Sequence, residues 1–112
     1  MIVRLWRGRA LSASADAYQA HVTTIVFPKL AHVDGFLRGR VLRRTIDGHV
    51  EFLVMTEWTS RDAIRAFAGE PIDQAVVEPA ARAVLSDYDT HVEHFEIVDG
   101  VSMPDLSTPS LR

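Results

Sequence analysis

Apolar and polar positions alternate from the first residues of the chain. Ile2, Arg4 and Trp6 fall on one side of an extended segment and Val3, Leu5 and Arg7 on the other, the two-residue period of a β-strand reaching Arg9. The period then lengthens. Tyr18, Val22, Ile25 and Val26 recur at helical spacing behind a cap at Ser12 or Ser14, with Asp16 in the first turn. This predicts a helix over about Ala13–Leu30, which Pro28 kinks or ends early. After an Asp34-Gly35 turn, Phe36–Thr45 and Val50–Trp58 read as strands around Asp47-Gly48, a dipeptide suited to a tight hairpin. Thr59 and Ser60 can cap a short amphipathic helix carrying Asp62, Ala63, Ile64, Phe67 and Ala68, and Gly69 and Pro71 punctuate it. Residues Ile72–Leu85 read as broken helix with Pro79 opening its last piece, and Thr90–Val98 as the closing strand. The element order is βαββαβ.

That order makes an α+β domain whose helices can cover only one face of a four-stranded antiparallel sheet. In the third strand Phe52, Val54, Thr56 and Trp58 point one way, while Leu53 and Met55 point the other, so both faces are apolar. A second copy packed sheet to sheet is the economical cover for the bare face, and a homodimer is expected. On the second strand Arg38, Arg40 and Arg44 share a face with Phe36 and Leu42, where they could hold an anion or, more simply, pair with Glu51, Glu57, Glu93 or Glu96.

Composition narrows the picture. A chain of 112 residues that is 47% hydrophobic builds one core, placed here in residues 1–98. With 24% charged residues and no apolar run near the roughly 20 residues of a bilayer span, no membrane segment is expected. Met1 leads directly into the first strand without a leader pattern, so the expected location is cytoplasmic. The absence of cysteine excludes disulfides, Cys-based metal sites and a thiolate nucleophile. A net charge of −3, with basic residues dispersed among acids, argues against nucleic acid as a partner. Residues 99–112, with Pro104, Pro109 and several serines, have the composition of a disordered tail, and packing across a partner subunit would order them.

Several residues could carry chemistry. Trp58, on the strand face of Thr56 and Val54, is a candidate pocket wall or a core tryptophan. Trp6 shares its face with Arg4, which suggests a cation–π pair, a substrate clamp or plain packing. His21, one position before the core residue Val22, could face a helix–sheet cleft as a general base or hydrogen-bond locally. His91 and His94 are three apart and point to opposite sides of a strand, and His94 with Glu96 is too few ligands, so no metal site is expected. Gly35 and Gly39 lack the spacing of a phosphate loop.

Three stretches together resemble the antibiotic biosynthesis monooxygenase superfamily. They are Phe52-Leu53-Val54-Met55-Thr56-Glu57-Trp58-Thr59-Ser60 with Ala63, Ile64 and Phe67, then Tyr18-Gln19-Ala20-His21-Val22 running to Pro28-Lys29-Leu30 and Gly35-Phe36, and finally His94-Phe95-Glu96-Ile97-Val98. The resemblance spans about Ile2–Val98 and implies a ferredoxin-like domain that pairs into a dimeric α/β barrel. It also implies a pocket between helices and sheet in which a phenol or anthrone is oxidised by O2 without metal, flavin or other cofactor. The protein need only bind such a substrate, deprotonate it and exclude water. On that reading His21 is the general base, and Trp58, Thr56, Val54, Trp6 and Arg4 bind the substrate. Two departures stand out. Val54 occupies the position, four before the strand-ending Trp58, where the polycyclic oxygenases carry a carbonyl-positioning asparagine. No histidine lies between His49 and His91 to match the haem ligand of haem-degrading members. The alternative is a non-catalytic homodimer that binds a small aromatic or apolar ligand, or only itself.

Overall fold

A computed structural model describes residues 1–102. Its elements are β1 (Ile2–Leu11), α1 (Ser12–His21), a π-helical turn (Val22–Val26), α2 (Phe27–Leu30), β2 (Phe36–Ile46), β3 (His49–Trp58), α3 (Arg61–Ala68), α4 (Pro79–Val84), β4 (Asp87–Tyr88) and β5 (Glu93–Glu96). The strands form one antiparallel sheet in the order β2-β3-β1, with β4 and β5 both on the outer edge of β1. This is the expected α+β, ferredoxin-like arrangement, with one strand more than the βαββαβ pattern predicts. The expected packing of residues 99–112 on a partner falls for its greater part, 103–112, outside the described residues.

The hairpin follows directly from its turn. Asp47 at φ 49° and Gly48 at φ 78° are both left-handed, the backbone of a two-residue turn whose twist suits the strands it joins. Register runs from Ile46 opposite His49 without interruption to Arg38 opposite Glu57. There a bulge intervenes, and Phe36 pairs with Trp58. Phe36 therefore lies on the helix side, edge-on to Trp58 with ring centroids 5.3 Å apart, and not beside Arg38, Arg40 and Arg44 as strict alternation predicts.

Pro28 neither ends nor breaks the first helix. The chain widens into the π-turn just before it, where Phe27 N–H donates to the Val22 carbonyl, and helix continues to Leu30. A wider turn relieves the clash of the proline ring with upstream carbonyls. α3 begins where its cap predicts, with Ser60 Oγ accepting from Ala63 N–H at 3.1 Å. Only Pro79–Val84 of the expected broken helix is helical, and the closing strand is confined to Glu93–Glu96.

The helices and the inner sheet face enclose two apolar clusters. Ala10, Ala15, Tyr18, Val22, Val50, Phe52 and Ala81 form one, and Ile2, Leu30, Trp58 and Ile64 the other, with Phe27 packed against both. The outer face carries Val3 and Leu5 of β1, Leu53 and Met55 of β3, Leu42 of β2 and Phe95 of β5. Leu42 and Phe95 are 45% and 49% exposed. Arg44–Glu51, Arg38–Glu57 and Arg7–Glu93 pairs frame this apolar patch.

Candidate functional site

The sheet register builds a small floor beneath the first helix. Arg4 of β1 lies opposite Thr56 of β3, and Trp6 opposite Val54, so these side chains form a two-by-two patch on the helix-facing side. Above it is a cavity of about 110 Å³, bounded also by Tyr18 and His21 of α1, Val22 and Val26 of the π-turn, Phe67 of α3 and residues 76–78. The wall is mostly aliphatic and aromatic, with few polar groups converging on it, the usual make-up of a small-molecule site.

Each floor residue is held by its own geometry. The Trp6 indole lies across Gly8, where a Cβ would come within 2.4 Å of the ring, and its Nε1–H donates to the Asp89 carbonyl at 2.7 Å. Arg4 is 6% exposed. Its guanidinium donates to the Ile72 carbonyl at 2.5 Å, the Gln74 carbonyl at 3.0 Å and His94 Nε2 at 3.0 Å, and lies 5.9 Å from the Phe67 ring centre. No carboxylate among the described residues forms an ion pair with it. Burial lowers its pKa to about 10, against the opposing pull of Asp73. Because Nε2 of His94 accepts from Arg4, that ring is neutral and carries its proton on Nδ1. Burial, together with the positive charges of Arg4 and Arg61, holds its pKa below the ordinary histidine value.

The roof contributes the other polar groups. His21 follows Tyr18 by one helical turn, with ring centroids 6.5 Å apart. Its Nε2 is buried and has no hydrogen-bond partner among the described residues. Burial pushes the Tyr18 phenol well above the usual range. At the rim Lys29 Nζ meets Glu78 Oε1 at 3.2 Å.

The structure thus brings Arg4, Trp6, His21, Val54 and Thr56 to one cavity. Trp58 is not in its wall. It is fully buried behind Thr56, between Phe36 and Phe67, and its Nε1–H donates to Thr56 Oγ1 at 2.9 Å. Tyr18, Phe67 and Val76–Glu78 are wall residues not singled out from the sequence. Tyr18 and Phe67 read there as ordinary core positions, and the 76–78 segment carries no periodic signal. His91 and His94 stay apart, and no group of three potential metal ligands occurs among the described residues.

Residues 1–79 match the family model described as antibiotic biosynthesis monooxygenase. Solved structures share the fold at low identity. A candidate antibiotic biosynthesis monooxygenase from Deinococcus radiodurans has 18% identity and a TM-score of 0.67, covering 93% of this chain and 99% of that one. The haem-degrader MhuD from Mycobacterium tuberculosis, with two haems bound, has 22% identity and a TM-score of 0.59, covering 91% and 100%. A variant of SnoaB, a cofactor-independent oxygenase from Streptomyces nogalater, has 20% identity and a TM-score of 0.58, covering 91% and 97%. No curated protein matches the sequence.

Proposed function

The chain belongs to the antibiotic biosynthesis monooxygenase family, and from that premise we propose that it binds a small aromatic phenol or enol in the helix–sheet cavity and oxidises it with O2, without a bound cofactor, as a homodimer. One observation carries the reading. His21, whose buried Nε2 has no hydrogen-bond partner among the described residues, and Arg4, whose guanidinium forms no ion pair with a described carboxylate, border the same apolar cavity. A buried polar atom is normally satisfied, so the His21 nitrogen points to a ligand that hydrogen-bonds it, and the Arg4 charge at the same cavity favours one that becomes an anion.

The chemistry follows from these groups. A hydroxyl seated against His21 passes its proton to Nε2. The anion left behind lies in the field of Arg4, whose charge is weakly screened at a buried site. The electron-rich anion then reduces O2, and a C–O bond forms. Where a CH2 carbon becomes a carbonyl, the substrate gives up four electrons, one oxygen atom enters it, and the second leaves as water with the two hydrogens.

Cavity size limits the substrate. About 110 Å³ lies below the roughly 300–1,000 Å³ of sites for drug-sized ligands, which favours one- or two-ring molecules over polycyclic ones. Haem fits poorly as a substrate for the same reason, and α3 carries no histidine to bind it. Dimerisation is supported by the apolar outer sheet face and its frame of charged pairs.

Oxygen-electrode assays over a panel of hydroquinones, hydroxyketones and anthrones test the reading. At least one compound should be consumed faster than in buffer, and His21→Gln should slow it by roughly 10²–10⁴-fold, the usual worth of a general base. If ligands bind but none is consumed, the protein is a binding dimer and not an oxygenase.

A further inference from the structure

Thr56 and Trp58 lie two residues apart on the helix-facing side of β3. The indole of Trp58 is stacked on Phe67, with centroids 5.6 Å apart, and edge-on to Phe36, so its Nε1–H has little freedom to turn. It donates to Thr56 Oγ1. A hydroxyl has one proton to give, and with Oγ1 accepting from the indole that proton is directed elsewhere. No hydrogen bond given by the Thr56 hydroxyl is found among the described residues, yet Thr56 is 5% exposed and borders the cavity.

Most polar hydrogens of the other floor residues are already placed. Trp6 gives its indole proton to the Asp89 carbonyl, Arg4 directs three of its five N–H bonds to Ile72, Gln74 and His94, and Val54 has no polar side-chain atom. We infer that Thr56 donates a hydrogen bond to a carbonyl oxygen of the cavity's ligand, and that Trp58 is the positioning residue that aims it. The inference rests on the ligand-binding reading above and narrows it. The ligand is a small aromatic that carries a hydroxyl for His21 and, elsewhere on its frame, a carbonyl for Thr56.

Two probes of similar size separate these groups: 4-hydroxyacetophenone, with hydroxyl and carbonyl, and 4-ethylphenol, with the hydroxyl alone. Both are titrated calorimetrically into the full-length protein. Wild type should prefer the ketone, and Thr56→Val should weaken the ketone about five- to tenfold, the worth of one neutral hydrogen bond, while leaving 4-ethylphenol unchanged. Thr56→Ser should restore the preference. Infrared difference spectra should show the bound carbonyl stretch lowered in wild type and Thr56→Ser, and returned toward its apolar-solvent value in Thr56→Val. Trp58→Phe keeps the ring packing but removes the indole donor, so it should reduce the ketone preference and broaden the carbonyl band. Equal losses for both probes in Thr56→Val would overturn the inference, because Thr56 would then act by packing. An unchanged carbonyl band in Trp58→Phe would overturn the positioning role. Binding of 4-ethylphenol without any ketone preference refutes the Thr56 assignment alone, whereas failure of both probes to bind wild type refutes the cavity reading with it.

Discussion

Replacing Gly8 by alanine puts one methyl group against the indole of Trp6. The new Cβ would lie 2.4 Å from Cη2, 2.9 Å from Cζ3 and 3.1 Å from Cζ2, where carbon atoms prefer about 3.5–4.0 Å. The indole must move by roughly an ångström, but its far edge is tied to the Asp89 carbonyl, and Tyr18 and Tyr88 flank it at 6.1 and 6.5 Å. Overpacking of this kind costs about 1–3 kcal/mol. Alanine opposes that loss by restricting the unfolded chain, worth about 0.5–1 kcal/mol in a strand. The expected net is a destabilisation of about 1 kcal/mol, read from urea unfolding at fixed protein concentration. The decisive control is the same substitution in a Trp6→Leu background. With the ring gone only the backbone contribution remains, so Gly8→Ala should become neutral or stabilising by about 0.5 kcal/mol. An equal loss in both backgrounds would show that Gly8 is required for some reason other than the seat it gives Trp6.

Other outcomes follow from the same geometry. Leu53→Arg, at the centre of the outer sheet face, should convert the expected dimer to monomer by native mass spectrometry while leaving circular dichroism unchanged; a wild-type chain that is already monomeric at micromolar concentration would refute the sheet-to-sheet arrangement. His94 takes up its proton at a lower pH when folded than when unfolded, so between the lowered value and 6.5 the unfolded chain binds more protons. Stability should therefore be lost as pH falls through that window and be fully present above it. His94→Gln should flatten the dependence, and an identical pH profile in that variant would remove His94 as its source.

Much of this architecture is legible because local rules and tertiary needs agree. The hairpin follows from a dipeptide that accepts two positive φ angles, and β3 from strict alternation that places Phe52, Val54, Thr56 and Trp58 together. The same alternation in β1 brings Arg4 and Trp6 to that face, while helical spacing from Tyr18 carries His21 to the cavity. Where the reading departs from the structure, a single residue or a non-local bond decides. The bulge after Phe36 adds one residue to β2 and so reverses the face of everything before it. Residues 76–78 reach the cavity without any periodicity of their own. Their place is set from a distance, by Arg4 on the Ile72 and Gln74 carbonyls and by backbone bonds from Ala75 to Thr90 and from Val92 to Asp73.

Trp58 shows how the two kinds of information combine. Its residue type and its position at the end of β3 make it the most conspicuous candidate for a pocket wall, yet it is wholly enclosed by Phe36, Phe67 and the second core cluster. An enclosed indole still needs a partner for its N–H, because a buried unsatisfied donor costs about 1–3 kcal/mol. In a strand the nearest side chain on the same face is two residues away, and here that is Thr56. A requirement of the core is thereby met at the cavity's edge, and meeting it turns the one hydroxyl of the floor toward whatever occupies the space above. The i, i+2 geometry of the strand is what lets a residue that never touches the cavity govern a group that does.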